Sequence, residues 1–206
     1  MYEANEASGQ SLTFSNLFQW AKELFTNPRR FLAAMPKEGG YLTPMLYLAF
    51  WSIISNTITF LGSFLRPSIA AGGIDLRLAA LVGSPFLGVL FGFFIAAILF
   101  VIWHLMGSKN NFQTAFRVWA FISPLGAVGA VLSLVPYLGV LILVAGFYLI
   151  IVASEEVHGL PKARSWIVWG SLAGFFFLMG LFGMAAAKLS RNFPTNQFSP
   201  MGPLKR

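Results

Sequence analysis

Apolar residues in this chain fall into four intervals free of Asp, Glu, Lys and Arg: Gly39 to Leu65, Leu78 to Ser108, Val118 to Ser154 and Ser165 to Ala187. Each is long enough for an α-helix, rising 1.5 Å per residue, to cross a hydrocarbon layer ~30 Å thick. The third holds about 37 residues, a rod of roughly 55 Å, and must therefore fold back on itself. Pro136 lacks an amide hydrogen and biases Val135 away from helix, which makes Leu134-Val135-Pro136-Tyr137 the natural break. The pattern predicts five spans: Leu42 to Leu65, Leu78 to Leu105, Thr114 to Leu134, Tyr137 to Ser154 and Trp166 to Ala187. A re-entrant third segment, shorter and interrupted by proline, is the alternative. Pro85 and Pro124, each preceded by serine, predict kinks in the second and third helices.

Ahead of the first span, Phe14, Leu17, Phe18, Ala21, Leu24 and Phe25 recur at three- and four-residue spacing, with Ser15, Gln19, Lys22 and Glu23 between them. This is the pattern of an amphipathic helix. Asn27-Pro28 then reads as an N-cap followed by proline at the first helical position, opening a short second helix that stops by Pro36. Such a pair suits the headgroup plane, with Lys22, Arg29, Arg30 and Lys37 near lipid phosphates. Packing on the cytosolic ends of the bundle is the other reading.

Composition agrees with a lipid-embedded chain: of 206 residues, 57% are hydrophobic and only 10% charged, against about a quarter charged in soluble domains. The fold class expected is all-α and polytopic, five transmembrane helices with an N-terminal amphipathic interfacial segment. Residues 1–10 are expected to be a disordered N-terminus, 11–40 the interfacial helices, 41–187 the membrane domain and 188–206 a disordered tail. The acidic, polar opening predicts no secretory signal peptide, leaving the first span as the targeting signal.

With five spans, one side carries Lys22, Arg29, Arg30, Lys37, Lys109, Arg117, Lys162 and Arg164, and the other Arg66, Arg77, Lys188, Arg191, Lys205 and Arg206. Eight basic residues against six place the N-terminus in the cytoplasm and the C-terminus outside. The formal net charge of +7 is scattered in short segments with no continuous basic face, so the expected partners are anionic lipid headgroups and a membrane or cytosolic protein, not nucleic acid. The pattern leaves the oligomeric state open.

Candidate chemistry is sparse. The absence of cysteine removes disulfides, thiolate metal sites and a cysteine nucleophile. Ser52, Ser55, Asn56 and Thr59 share one face of the first span, with Ser63 a turn further on. That face is either an interhelical hydrogen-bonding surface or the lining of a small-solute or lipid path. Gly88 with Gly92, and Gly170 with Gly174, form two Gly-x-x-x-Gly pairs suited to close helix packing, in the same chain or in a second copy. No Asp, Glu, Lys or Arg lies near the middle of a span, which weighs against a proton relay, an ion-coupled carboxylate site or a voltage sensor.

Glu155 and His158 have a carboxylate–histidine metal spacing but no second copy of it; ion pairing with Arg117, Lys109 or Arg164 is the plainer expectation. Glu155-Glu156 resembles the opening of the Glu-Glu-x-x-x-Arg motif of intramembrane CAAX-type proteases, but Leu160 stands where arginine is required. With no nucleophile elbow, zincin or phosphate-loop motif, no enzyme, cofactor or metal is expected.

Several elements together resemble the Yip (Ypt-interacting protein) domain family: Asn27-Pro28-Arg29-Arg30-Phe31, Met35-Pro36, Ala115-Phe116, Ser123-Pro124, Val135-Pro136 with Gly139, and His158-Gly159-Leu160 with Lys162-Ala163. The resemblance implies five transmembrane helices, a cytosolic N-terminus and a short exoplasmic C-terminus. Eukaryotic members are linked to Rab-type GTPases and vesicle traffic. This chain lacks their long N-terminal region and Asp-Leu-Tyr-Gly-Pro motif, so it looks more like the prokaryotic branch, set in a bacterial or archaeal cytoplasmic membrane. A non-catalytic membrane-organising or adaptor role is the leading expectation, a small-solute or lipid transporter the alternative.

Overall fold

The computed structural model describes residues 14–65, 73–135 and 138–192, and within these every regular element is helical. In chain order the helices are α1 (Phe14–Thr26), α2 (Pro28–Ala34), α3 (Leu42–Leu65), α4 (Ile74–Leu105), α5 (Phe112–Ile122), α6 (Pro124–Leu132), α7 (Val140–Glu156) and α8 (Lys162–Asn192). Among the described residues four stretches are long and apolar enough to cross a membrane: α3, α4, α5 continued by α6, and α8 as far as Gly183. At 17 residues α7 is shorter, about 26 Å against a ~30 Å hydrocarbon layer.

The proline-interrupted helices show how serine restores what proline removes. In α4, Pro85 deprives the Leu81 carbonyl of its amide partner, and the neighbouring Ser84 hydroxyl donates to that carbonyl at 2.8 Å. The helix therefore continues. At Ser123-Pro124 the chain breaks instead: the Ser123 amide tightens onto the Ala120 carbonyl at 3.1 Å, and α6 starts with Pro124 in its first turn. The single third helix of the sequence reading is thus two helices in one apolar stretch. The expected break at Pro136-Tyr137 falls outside the described residues, between the end of α6 and the start of α7.

α4 begins at Ile74 rather than Leu78, so it includes Asp75 and Arg77. The Arg77 guanidinium donates to Ser63 Oγ at 3.2 Å, joining the end of α3 to the start of α4. α8 runs on through Asn192, so helix occupies part of the segment expected to be a disordered tail; residues 1–10 and 193–206, the rest of the expected disorder, and residues 11–13 of the expected interfacial segment lie outside the described residues.

The core follows the helical stripe of α3, where Pro44, Tyr47, Leu48 and Trp51 are buried at three- and four-residue intervals. α4 packs on one flank of α3 and α6 on another, while α8 packs on α7. Leu17, Ala21 and Leu24 of α1 and Leu32 of α2 are buried with this core. Trp20 and Phe31 meet the Phe121 ring edge to face, at 5.5 and 5.9 Å between centroids. Phe18 and Phe25 of α1 remain exposed.

Candidate functional site

Polar side chains converge at the end of the bundle that carries α1 and α2. The last turn of α7 supplies Ser154, Glu155 and Glu156, and the turn beyond it supplies His158. Ser154 is fully buried, and its Oγ accepts from two indoles, Trp103 Nε1 at 2.7 Å and Trp169 Nε1 at 2.8 Å, while donating to the Ile150 carbonyl at 2.7 Å. One hydroxyl so satisfies two indole N–H groups, using its full capacity of one donor and two acceptors. This joins α4, α7 and α8.

His158 stacks on Trp103 with ring centroids 4.0 Å apart. Its Nδ1 lies 2.7 Å from Ser108 Oγ and 3.4 Å from Asn110 Nδ2. Asn110 Nδ2, whose orientation is fixed by donating to the Val157 carbonyl at 2.8 Å, can only donate, so Nδ1 is an acceptor and the Ser108 hydroxyl turns its hydrogen to it. The neutral ring then carries its proton on Nε2, which is buried and has no partner. Burial, with a smaller contribution from the Lys37 charge, pushes the His158 imidazole down to about 4, so it is neutral at pH 7.

Arg29 closes the site from α2. Its guanidinium meets Glu155 at 2.8 Å and Glu156 at 2.6 Å, and hydrogen bonds to the two carboxylates raise its affinity for its proton further. These acids had been expected to pair with Arg117, Lys109 or Arg164, and Arg29 to face lipid phosphate. The residues that meet are 127 positions apart, beyond the reach of any local pattern. Glu155 and His158, the possible metal pair, turn to different partners.

Arg117 instead lies under the loop between α2 and α3. It is 3% exposed, donates to the Gly40 carbonyl at 3.1 Å and has its Nε without a partner. Thr114 Oγ1, on the same helix, donates to the Lys37 carbonyl at 3.1 Å. Arg164 caps the end of α4 through the Met106 carbonyl at 2.6 Å. Lys22, Arg30 and Lys37 are exposed, and no ion pair forms to them among the described residues.

The polar face of α3 turns largely back on its own backbone. Ser55 Oγ donates to Trp51 O at 2.7 Å, Asn56 Nδ2 to Ser52 O at 2.9 Å and Thr59 Oγ1 to Ser55 O at 3.0 Å. Ser52 packs beneath Gly88 on α4 and Ser55 beneath Gly126 on α6, so one sequence stripe serves two helix contacts. At Gly88 and Gly92 a methyl group would run into Ser52 and Leu48, which places the first glycine pair at the α3–α4 seam. Among the described residues nothing lies within 4 Å of a methyl built at Gly170 or Gly174, so the second pair faces open space there.

Sequence reasoning missed Trp103, Trp169, Ser108, Asn110 and the role of Ser154. A signal was present: an indole N–H in an apolar helix needs an acceptor, and Ser154 stands at the end of an apolar run. What no spacing reveals is that both indoles use the same one. No curated protein and no solved structure matches the chain. The family model described as the Yip1 domain matches residues 22–184, taking in α2, the apolar helices and the Ser154–His158 turn, and the chain belongs to that family of membrane proteins.

Proposed function

We propose that this Yip-family protein is a non-catalytic membrane organiser or adaptor that crosses the bilayer five times and presents α1 and α2 on the cytosolic face of a prokaryotic cytoplasmic membrane. The observation that carries the reading is the face of α1 left uncovered by the bundle. Leu17, Ala21 and Leu24 point inward, while Lys22 and Phe25 are exposed and Phe18, edge-on to Phe50 and Trp51 of α3 with 5.7 Å between centroids, is half exposed. Two partly open aromatics around a cation suit the boundary between headgroups and acyl chains, or an apolar partner surface lying there.

Five crossings are supported by the contacts at helix ends. Arg77 joins the end of α3 to the start of α4, Thr114 and Arg117 bring the start of α5 to the loop before α3, and Arg29 brings the end of α7 to α2. Arg164 joins the start of α8 to the end of α4. Alternation from end to end then requires α7 to return across the layer, 17 residues being the short limit for a span. The cytosolic placement of α1 rests on the excess of Lys and Arg on that side. Transport along α3 is the weaker reading, because Ser55, Asn56 and Thr59 direct their donors to their own backbone.

The test is crosslinking and capture of the full-length protein from native membranes, comparing wild type with Phe18→Ser/Phe25→Ser. An adaptor acting through α1 loses its captured partners in the double variant while remaining folded in the membrane. Identical capture from both would reject this face.

A further inference from the structure

We propose that Arg117, beneath the Lys37–Gly40 loop, is the receptor for a phosphate-type anion, supplied by a lipid headgroup or by free phosphate. This reaches beyond the adaptor reading and does not depend on it, since the site would serve a transporter equally well.

The guanidinium is buried, yet no carboxylate lies within ion-pair distance of it among the described residues. Its contacts are one hydrogen bond to the Gly40 carbonyl and the Phe121 ring, whose centroid is 6.0 Å from Cζ. Nε has no partner. A buried cation with donors unsatisfied and no counter-charge is costly, and an anion accepting from the guanidinium edge corrects both deficits at once.

The surroundings do not oppose a negative ligand: the loop over Arg117 carries one exposed charge of each sign, Lys37 and Glu38, neither in an ion pair among the described residues, and so is neutral overall. Gly39 and Gly40 both adopt positive φ, +121° and +80°, and the Arg117 guanidinium rests where a Gly39 side chain would begin, 3.3 Å from NH1. The cover over the cation is therefore two exposed glycines with no side chain. Arg117 is the sixth residue of α5, five residues and so roughly 7.5 Å along the helix from its start, within two turns of the end that meets the Lys37–Gly40 loop. Across the chain, 14 Lys and Arg face 7 Asp and Glu, so part of the positive charge finds its counter-charge outside the protein.

The experiment uses the purified full-length chain in neutral detergent, with unfolding followed by tryptophan fluorescence. Three probes are added separately: phosphatidylglycerol, diacylglycerol with the same acyl chains, and inorganic phosphate. Phosphatidylglycerol should raise the melting temperature where diacylglycerol does not, and Arg117→Gln should abolish that rise while Lys109→Gln, removing an exposed charge elsewhere, keeps it. A matching rise with inorganic phosphate, also lost in Arg117→Gln, identifies free phosphate as the source; a rise confined to the lipid identifies the headgroup. The proposal is overturned by equal stabilisation from diacylglycerol, by an undiminished rise in Arg117→Gln, or by no rise with either phosphate probe. Should Arg117→Gln fail to fold, native mass spectrometry of the wild type decides. Retention of phosphatidylglycerol or phosphate over diacylglycerol, kept in Lys109→Gln and reduced in Arg117→Lys, supports the site. Absence of that retention, or retention unchanged in Arg117→Lys, rejects it.

Discussion

Trp103 and His158 stack with 4.0 Å between ring centroids and an interplanar angle of 23°, and each ring is held by a different serine. Ser154 fixes the indole and Ser108 the imidazole. The contact joins the end of α4 to the turn after α7, and it requires an uncharged His158, because protonation gives Nδ1 a hydrogen aimed at neighbours already committed as donors.

Acidification should loosen this end of the molecule. The folded His158 titrates at about 4, below the ~6.5 of an unfolded histidine. The unfolded chain therefore takes the proton first, and stability is constant above about pH 6.5 and falls as pH drops toward 4. Melting temperature measured from pH 7.5 to 5 should decline in the wild type and decline less in His158→Phe, which keeps a ring for stacking. Parallel curves would mean that the imidazole is not the group responsible.

Ser154→Ala should be more damaging than the loss of one hydroxyl suggests. It leaves two buried indole N–H groups without an acceptor, at about 1–3 kcal/mol for each. Replacing Trp103 and Trp169 by Phe removes the orphaned donors, so the further cost of Ser154→Ala in that background should drop to about 1 kcal/mol or less. Equal costs in the two backgrounds, measured by reversible unfolding in mixed micelles, would show that the indoles do not share the hydroxyl.

Arg29 is half exposed whereas Glu155 is largely covered, so the pair is asymmetric. Screening limits what the arginine contributes, to about 1 kcal/mol or less, but its loss strands a covered carboxylate. Arg29→Ala should increase proteolysis within α1 and α2 of the membrane-embedded protein, and the added substitutions Glu155→Gln and Glu156→Gln should restore protection. If the triple variant is cleaved as fast as Arg29→Ala, α2 is held by packing of Leu32 and Phe31 alone.

How far the sequence reaches is set by how local each signal is. The bounds of α3 and the α1–α2 division follow from apolar length and from Pro28 in the first turn of α2, although Asn27 makes no side-chain cap bond; periodicity finds the apolar face of α1 but does not separate the inward Leu17, Ala21 and Leu24 from the exposed Phe18 and Phe25. The start of α4 is misjudged because a break in apolar character at Asp75 and Arg77 is not a break in helix. Arg77 reaches Ser63 from a helix end where charges are tolerated. Arg29 with Glu155, Arg117 with Gly40 and the shared Ser154 acceptor join helices distant in sequence, and residue type alone does not choose among the partners available.

The two glycine pairs, alike in sequence, should behave in opposite ways. Gly88→Ala sets a methyl against Ser52, and Gly92→Ala sets one against Leu48. At Gly88 the methyl meets the Ser52 Cβ as well as its hydroxyl and must push α4 away from α3, a small-to-large change costing about 1–3 kcal/mol. At Gly92 it meets the Cδ2 end of Leu48, whose side chain can turn aside at a smaller cost. Gly170→Ala and Gly174→Ala meet nothing within 4 Å among the described residues, and alanine gains about 0.5–1 kcal/mol of helix propensity over glycine. Unfolding in detergent should show loss for the first pair and neutrality or gain for the second. Loss at Gly170 or Gly174 that appears only at high protein-to-lipid ratio would reveal a second copy seated on α8; loss independent of that ratio would contradict the open face.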